Sequence, residues 1–143
     1  MVLLAIKVNG WLMINLVLIA ILLWMAGNWA YYKIRGRQLG GAINAQEFEQ
    51  DMRKAQLIDL RNKKDYDAGH ILGARNMESV QVKSWENELR KDLPVYLYET
   101  GENISIRVAL RLKKVGFQNI KWLKGGYSTW EGKVKKTANK YND

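Results

Sequence analysis

The chain has no cysteine, one histidine and one proline among 143 residues. Without cysteine there is no disulfide, no thiolate metal site and no thiol nucleophile. The compartment stays open, because a chain without thiols survives in any redox environment. His70 alone cannot build a histidine-rich metal site, so no metal and no cofactor are expected. There are no internal repeats and no low-complexity stretch. Basic clusters interleaved with stacking aromatics are also missing. The formal charge of +9 therefore gives no reason to expect a nucleic-acid partner.

One long hydrophobic run is present. Residues 10–32, "GWLMINLVLIAILLWMAGNWAYY", hold no charged side chain. As a helix this stretch spans about 34 Å, against about 30 Å for the hydrocarbon core of a bilayer. Trp11 lies near one end and Trp29, Tyr31 and Tyr32 lie at the other, where aromatic rings suit the interface. "KIRGR" follows as a stop-transfer flank. A cleaved signal peptide fits less well, since the run is long and basic residues follow at once. A buried core helix would need more protein around it than this chain supplies. Residues 10–32 are thus expected to cross a cell membrane once, after a flank at 1–9. Lys33, Arg35 and Arg37 follow the span and Lys7 precedes it, which favours a cytoplasmic C-terminal side.

Residues 33–41 read as a short basic, glycine-rich linker with little reach. About a hundred residues remain, enough for one small domain. Four of the 23 basic residues flank the apolar run, leaving 19 against 14 acidic ones. Asn44 with Glu47 makes a capping-box arrangement for a helix over about 45–54. "AQLIDLR" (55–61) fits a strand buried on both faces. "NKKDYDAGH" reads as a turn or one-turn helix closed by Gly69, and "GARNM" as a second short strand. "SVQVKSWENELRKD" is helical, with Val82, Trp85 and Leu89 on one face, although Trp85 could instead join an exposed patch. Pro94 breaks that helix. "VYLY" is the next strand, "SIRVALRLKKVGF" the clearest helix with Gly116 as its C-cap, and "NIKWL" another strand. "GGYSTWEGKV" turns into a last short helix. The tail, 134–143, carries the basic run "KVKKTANK", which reads as a solvated frayed end or as a contact for anionic lipid.

Strands alternating with helices imply a parallel α/β sheet with helices on both faces. Ligands then sit at the carboxyl ends of the strands, which puts the loop after "VYLY" in the functional position.

Three blocks resemble the rhodanese-homology domain over about residues 42–133. "LIDLRNKKDYDAGHILGARNM" (57–77) resembles the family's strand ending in Asp-x-Arg followed by Gly-His-Ile-x-Gly-Ala-x-Asn. "PVYLYETGENISIRVALRLKKVGF" (94–117) resembles its active-loop strand and helix. "IKWLKGGYSTW" resembles its closing Gly-Gly-x-x-x-Trp block. The resemblance implies a five-stranded parallel sheet flanked by helices, and with the apolar run it looks like the small membrane-anchored proteins of this kind from Gram-positive bacteria. In active members a cysteine opens the loop, and its thiolate takes sulfur from thiosulfate as a persulfide. Backbone N–H groups and the next helix start stabilise that anion.

Here the loop is Glu99, Thr100, Gly101, Glu102, Asn103, Ile104 and Ser105. Aligned on Ser105, Glu99 stands at the cysteine position; aligned on Gly101, Tyr98 does. Neither can carry a sulfane sulfur. Ile104 stands near the place of the family's loop arginine. Glu99 and Glu102 bring negative charge to a pocket meant for an anion, about 4 kcal/mol of repulsion per pair at ~4 Å and an effective dielectric near 20. Glu99 is expected to fill its own cradle, accepting the loop N–H groups. By the resemblance Asp59, Arg61 and His70 brace the loop, and Gly69, Gly73, Asn76, Gly125, Gly126 and Trp130 are structural. The expected function is a membrane-tethered, catalytically inactive binding, scaffold or regulatory module with an unknown protein partner. Sulfur handling with a partner that supplies the cysteine is the alternative. A hydrolase using Glu99 as base would need a second polar group, and only Asp59 and Arg61 are on offer.

Overall fold

The computed structural model describes residues 9–137. The terminal flank up to Val8 and the last six residues of the basic tail lie outside them. Helix α1 (Gly10–Leu39) is continuous over 30 residues, so the expected linker at 33–41 is mostly helix. It ends at Gly40, whose left-handed conformation (φ 62°) lets its N–H reach the carbonyls of Gly36 and Arg37. Tyr32, Gly36 and Leu39 follow i, i+4, i+7 spacing on one face, and that face packs on the domain. Gly36 permits the approach: a Cβ there would lie 3.0 Å from Ile106 Cδ1. A mid-helix glycine costs about 1 kcal/mol relative to alanine, and the close packing offsets it. The apolar part of α1 is exposed, with none of its most hydrophobic window buried, so it is not a core helix of the domain.

The domain then runs β1 (Ala42–Ile43), α2 (Ala45–Asp51), β2 (Gln56–Asp59), α3 (Lys63–Ala68), β3 (His70–Ile71), β4 (Arg75–Asn76), α4 (Val82–Trp85), β5 (Val95–Tyr98), α5 (Asn103–Lys114), β6 (Ile120–Leu123) and β7 (Val134–Lys135). Five strands form one parallel sheet in the order β1-β6-β5-β2-β4. This is the expected architecture, with β1 as a strand too short to stand out in the sequence. Asn44 caps α2 by accepting the Glu47 amide at 2.9 Å, and Asn62 caps α3 by accepting the Asp65 amide at 2.8 Å.

Alternation along the central strand builds two cores. Val95 and Leu97 join Ile58, Trp85, Val108, Leu112 and Trp122 on the α5 side. Tyr96 and Tyr98 join Phe48, Leu57, Ile71 and Leu123 on the α2 and α3 side. This is the period-2 pattern of a strand buried on both faces.

Four local expectations change. The 79–92 segment is two 3-10 turns around the four-residue α4 rather than one helix. Trp85 is buried, its indole N–H donating to the Glu78 carbonyl at 2.9 Å, so it forms no exposed patch. The last helix is a single 3-10 turn at Tyr127–Thr129. The start of the tail is not frayed: β7 pairs antiparallel with β3, and the Thr137 amide donates to the Asp67 carbonyl. Backbone pairing orders these residues although their side chains stay exposed.

Candidate functional site

β5 is the middle strand of five, so the loop beyond it is flanked by the chain leaving β2 and the chain leaving β6. Those two neighbours carry the first and third sequence blocks.

On the β2 side, Asp59 is fully buried. Its carboxylate accepts from the Arg61 backbone N–H at 2.9 Å and from Nε and Nη2 of the same residue, the latter at 2.7 Å. Arg61 Nη2 also donates to the Gly69 carbonyl at 2.6 Å. Asn76 donates to the Arg61 carbonyl at 2.8 Å and the Asp59 carbonyl at 3.3 Å. Burial pulls the Arg61 pKa down, but the bonds and charge of Asp59 outweigh it and leave it above the ordinary guanidinium value. The guanidinium lies 4.1 Å from the Tyr127 ring centroid, a cation–π contact.

On the β6 side, Tyr127 donates its N–H to the Glu99 carbonyl at 2.7 Å. The Ser128 hydroxyl lies 3.2 Å from the Thr100 carbonyl. Gly126 has φ 70°, and a Cβ there would collide with the carbonyl oxygens of Thr100 and Gly101. Glycine is required here on both counts. Gly125, at φ 76°, shares that turn, and Gly73, at φ 93°, shapes the turn between β3 and β4. Trp130 packs edge-on to Phe48 at 6.1 Å.

Tyr127 and Ser128 hold the loop carbonyls of Glu99 and Thr100; Arg61, fixed by Asp59, meets the loop through the Tyr127 ring, and this chain of contacts forms a brace from β2 to the loop. Sequence reasoning missed Tyr127 and Ser128. Their signal was position, immediately after a Gly-Gly turn beside the loop. His70 is buried, stacked on Tyr66 at 3.7 Å, with Nδ1 2.7 Å from the Tyr66 carbonyl. Its contacts hold α3 to β3, and its segment reaches the loop strand through the Ile71 amide, which donates to the Tyr98 hydroxyl at 3.0 Å.

Tyr98 and Glu99 point to different places. Tyr98 faces the α2 and α3 core and is fully buried. Burial beside Asp59 pushes its hydroxyl pKa far above the ordinary 10.0. Glu99 begins the loop, is 8% exposed, and turns inward. Its Oε1 accepts the Ile104 amide at 3.1 Å, in the first turn of α5. The expected cradle contact is thus a single recorded amide rather than several. Among the described residues neither Glu99 nor Glu102 enters an ion pair. Ser105 is fully buried, and its hydroxyl has no hydrogen-bond partner among the described residues. Asn103 and Ile104 are exposed. No group of three or more metal-ligating side chains occurs among the described residues.

A parallel five-stranded sheet with this loop over its central strand defines the rhodanese fold, and the rhodanese-like domain family model matches residues 44–133. The chain belongs to the rhodanese-like domain family. It is 38% identical over 124 residues to the uncharacterized protein YqhL of Bacillus subtilis, covering 87% of this chain and 95% of that one. It is 32% identical over 76 residues to the thiosulfate sulfurtransferase GlpE of Pseudomonas fluorescens, covering 53% of this chain and 70% of that one. A solved rhodanese-like domain protein from Staphylococcus aureus superposes with a TM-score of 0.62 at 20% identity, over 68% of this chain and 99% of that one.

Proposed function

We propose that this protein is a membrane-tethered rhodanese-like module that binds a protein partner and transfers no sulfur itself. The observation that carries the reading is Glu99. It opens the loop, and its carboxylate accepts the Ile104 amide at the start of α5. A helix start is where a sulfur-bearing anion would be stabilised. Tyr98 faces the other side of the sheet, which favours Glu99 as the residue at the nucleophile position. The absence of cysteine removes the persulfide chemistry outright. The intact brace of Asp59, Arg61, Gly126 and Tyr127 supports a loop surface suited to recognition through Thr100 to Ile104, with Glu102 as its accessible acidic group.

Tethering rests on α1, which is long and apolar enough to cross a bilayer. The excess of basic residues after the span favours the cytoplasmic face for the domain. Sulfur handling with a cysteine-bearing partner is the second reading, favoured by likeness to a named thiosulfate sulfurtransferase; a mixed species trapped by cross-linking would support it.

The test is thiosulfate-to-cyanide sulfur transfer by the full chain in detergent, beside Glu99→Cys. The full chain is needed because Tyr32, Gly36 and Leu39 pack on the domain. The native chain should stay at the no-protein blank. Turnover above that blank, with no thiol present, would end this reading.

A further inference from the structure

α1 leaves its apolar segment and docks directly on α5, and the two helices run antiparallel there. Gly36 meets Ile106 near the start of α5, while Tyr31 and Tyr32 lie beside its later turns. The C-terminal end of α5 is therefore directed back toward the apolar span. Between the helices lies a cleft of about 630 Å³ lined by Tyr31, Tyr32, Arg35, Arg107, Lys113 and Lys114, with Leu110 and Arg111 completing it.

No acidic side chain lines this cleft. Among the described residues the one carboxylate in contact with a lining cation is Glu86, which accepts from Arg111 at 2.7 and 2.8 Å and so neutralises Arg111 alone. Arg107 lies 4.6 Å from the Tyr32 ring centroid, which fixes the floor of the cleft. Lys113 and Lys114 are exposed and enter none of the ion pairs among the described residues. The C-terminal carbonyls of α5 attract these cations and add no positive charge, so the ligand must be drawn by the side chains. Two tyrosines at the end of a 23-residue uncharged run mark the depth of the lipid headgroups.

We infer that this cleft seats the phosphate-bearing headgroup of an anionic membrane lipid, with the acyl chains lying along the apolar part of α1. The inference rests on the tethering reading above. It moves lipid recognition away from the basic tail, whose first residues are engaged in β7. A headgroup held between α1 and α5 would fix the domain's tilt on the membrane, and with it the direction in which the Glu99 loop faces.

The experiment is native mass spectrometry of the full chain from micelles holding equal phosphatidylglycerol and phosphatidylcholine. Basic residues near a membrane surface contribute enough for roughly fivefold preference each. The native chain should retain the anionic lipid at least about fivefold over the neutral one. Lys113→Gln with Lys114→Gln, which touches neither Glu86 nor Tyr32, should lower the ratio by at least about fivefold, as should Arg35→Gln with Arg107→Gln. Lys133→Gln with Lys135→Gln and Lys136→Gln should leave it unchanged. Equal retention of both lipids by the native chain, or loss of preference only in the tail variant, would overturn the inference. Displacement of the lipid by inorganic phosphate at matched concentration would also overturn it, by assigning the cleft to a free anion. Carbonate washing of vesicles carrying the chain separates the two ideas. Release from the vesicles would sink the tether and with it this site, whereas retention without headgroup preference would sink this site alone.

Discussion

Asp59 and Glu99 stand at the ends of adjacent parallel strands, one closing β2 and the other just beyond β5. Both are buried. Asp59 is surrounded by donors, with the Arg61 backbone and guanidinium both committed to it. Among the described residues Glu99 has one backbone amide and no cation. The first carboxylate is a fully partnered structural element. The second lies where a helix start stabilises negative charge, with much less protein built around it. The contrast teaches that burial alone does not assign a role to an acidic residue; the number and charge of its partners do.

The comparison can be broken most forcefully at Asp59. Asp59→Ala leaves the Arg61 guanidinium without its counter-charge, and removing one partner of a buried ion pair costs about 3–5 kcal/mol. Urea unfolding of the full chain in micelles should show that loss, and a change under about 1 kcal/mol would mean the brace is not structural. Gly126→Ala comes next. A left-handed non-glycine residue costs about 1–3 kcal/mol, and its methyl group must also displace the carbonyls of Thr100 and Gly101. Amide exchange from the loop should rise as well as overall stability fall. Glu99→Ala should cost only about 1 kcal/mol, comparable to losing a helix cap. A loss as large as that of Asp59→Ala would erase the distinction drawn between the two sites.

The smallest effect is a pH dependence at Glu86. Its hydrogen bonds from Arg111 hold its pKa below the ordinary 4.5. A carboxylate depressed on folding adds stability above its unfolded pKa, and that stability is lost as pH falls through the folded value. The unfolding midpoint should therefore drop as pH goes below about 4.5, and Arg111→Gln should flatten that part of the profile.

Much of this molecule is legible from residues 57–77 and 94–130. The apolar run "VYLY" after Pro94 gives the central strand, and the stripe on α5 gives the helix behind it. Asp59, Arg61 and Glu99 are found through the resemblance, the first two in its Asp-x-Arg block and Glu99 by alignment on Ser105. What the sequence hides are pairings between segments too short to carry a period. β3 and β7 have two residues each and lie over sixty positions apart, so nothing local announces them. Gly36 reads as a linker residue because glycine disfavours helix; only the Ile106 side chain explains its place within α1. Tyr127 was missed for the same reason, since its task is defined by Glu99 and Arg61 across the sheet edge.

The central claim is that Glu99 occupies the anion position at the start of α5. Its most direct test is the Ile104 amide resonance of the full chain in micelles, followed during titration with thiosulfate in the native protein and in Glu99→Ala. The native resonance should stay fixed and the variant's should move to saturation, as the vacated helix start takes the anion. A native Ile104 amide that titrates with thiosulfate as readily as the variant's would contradict it.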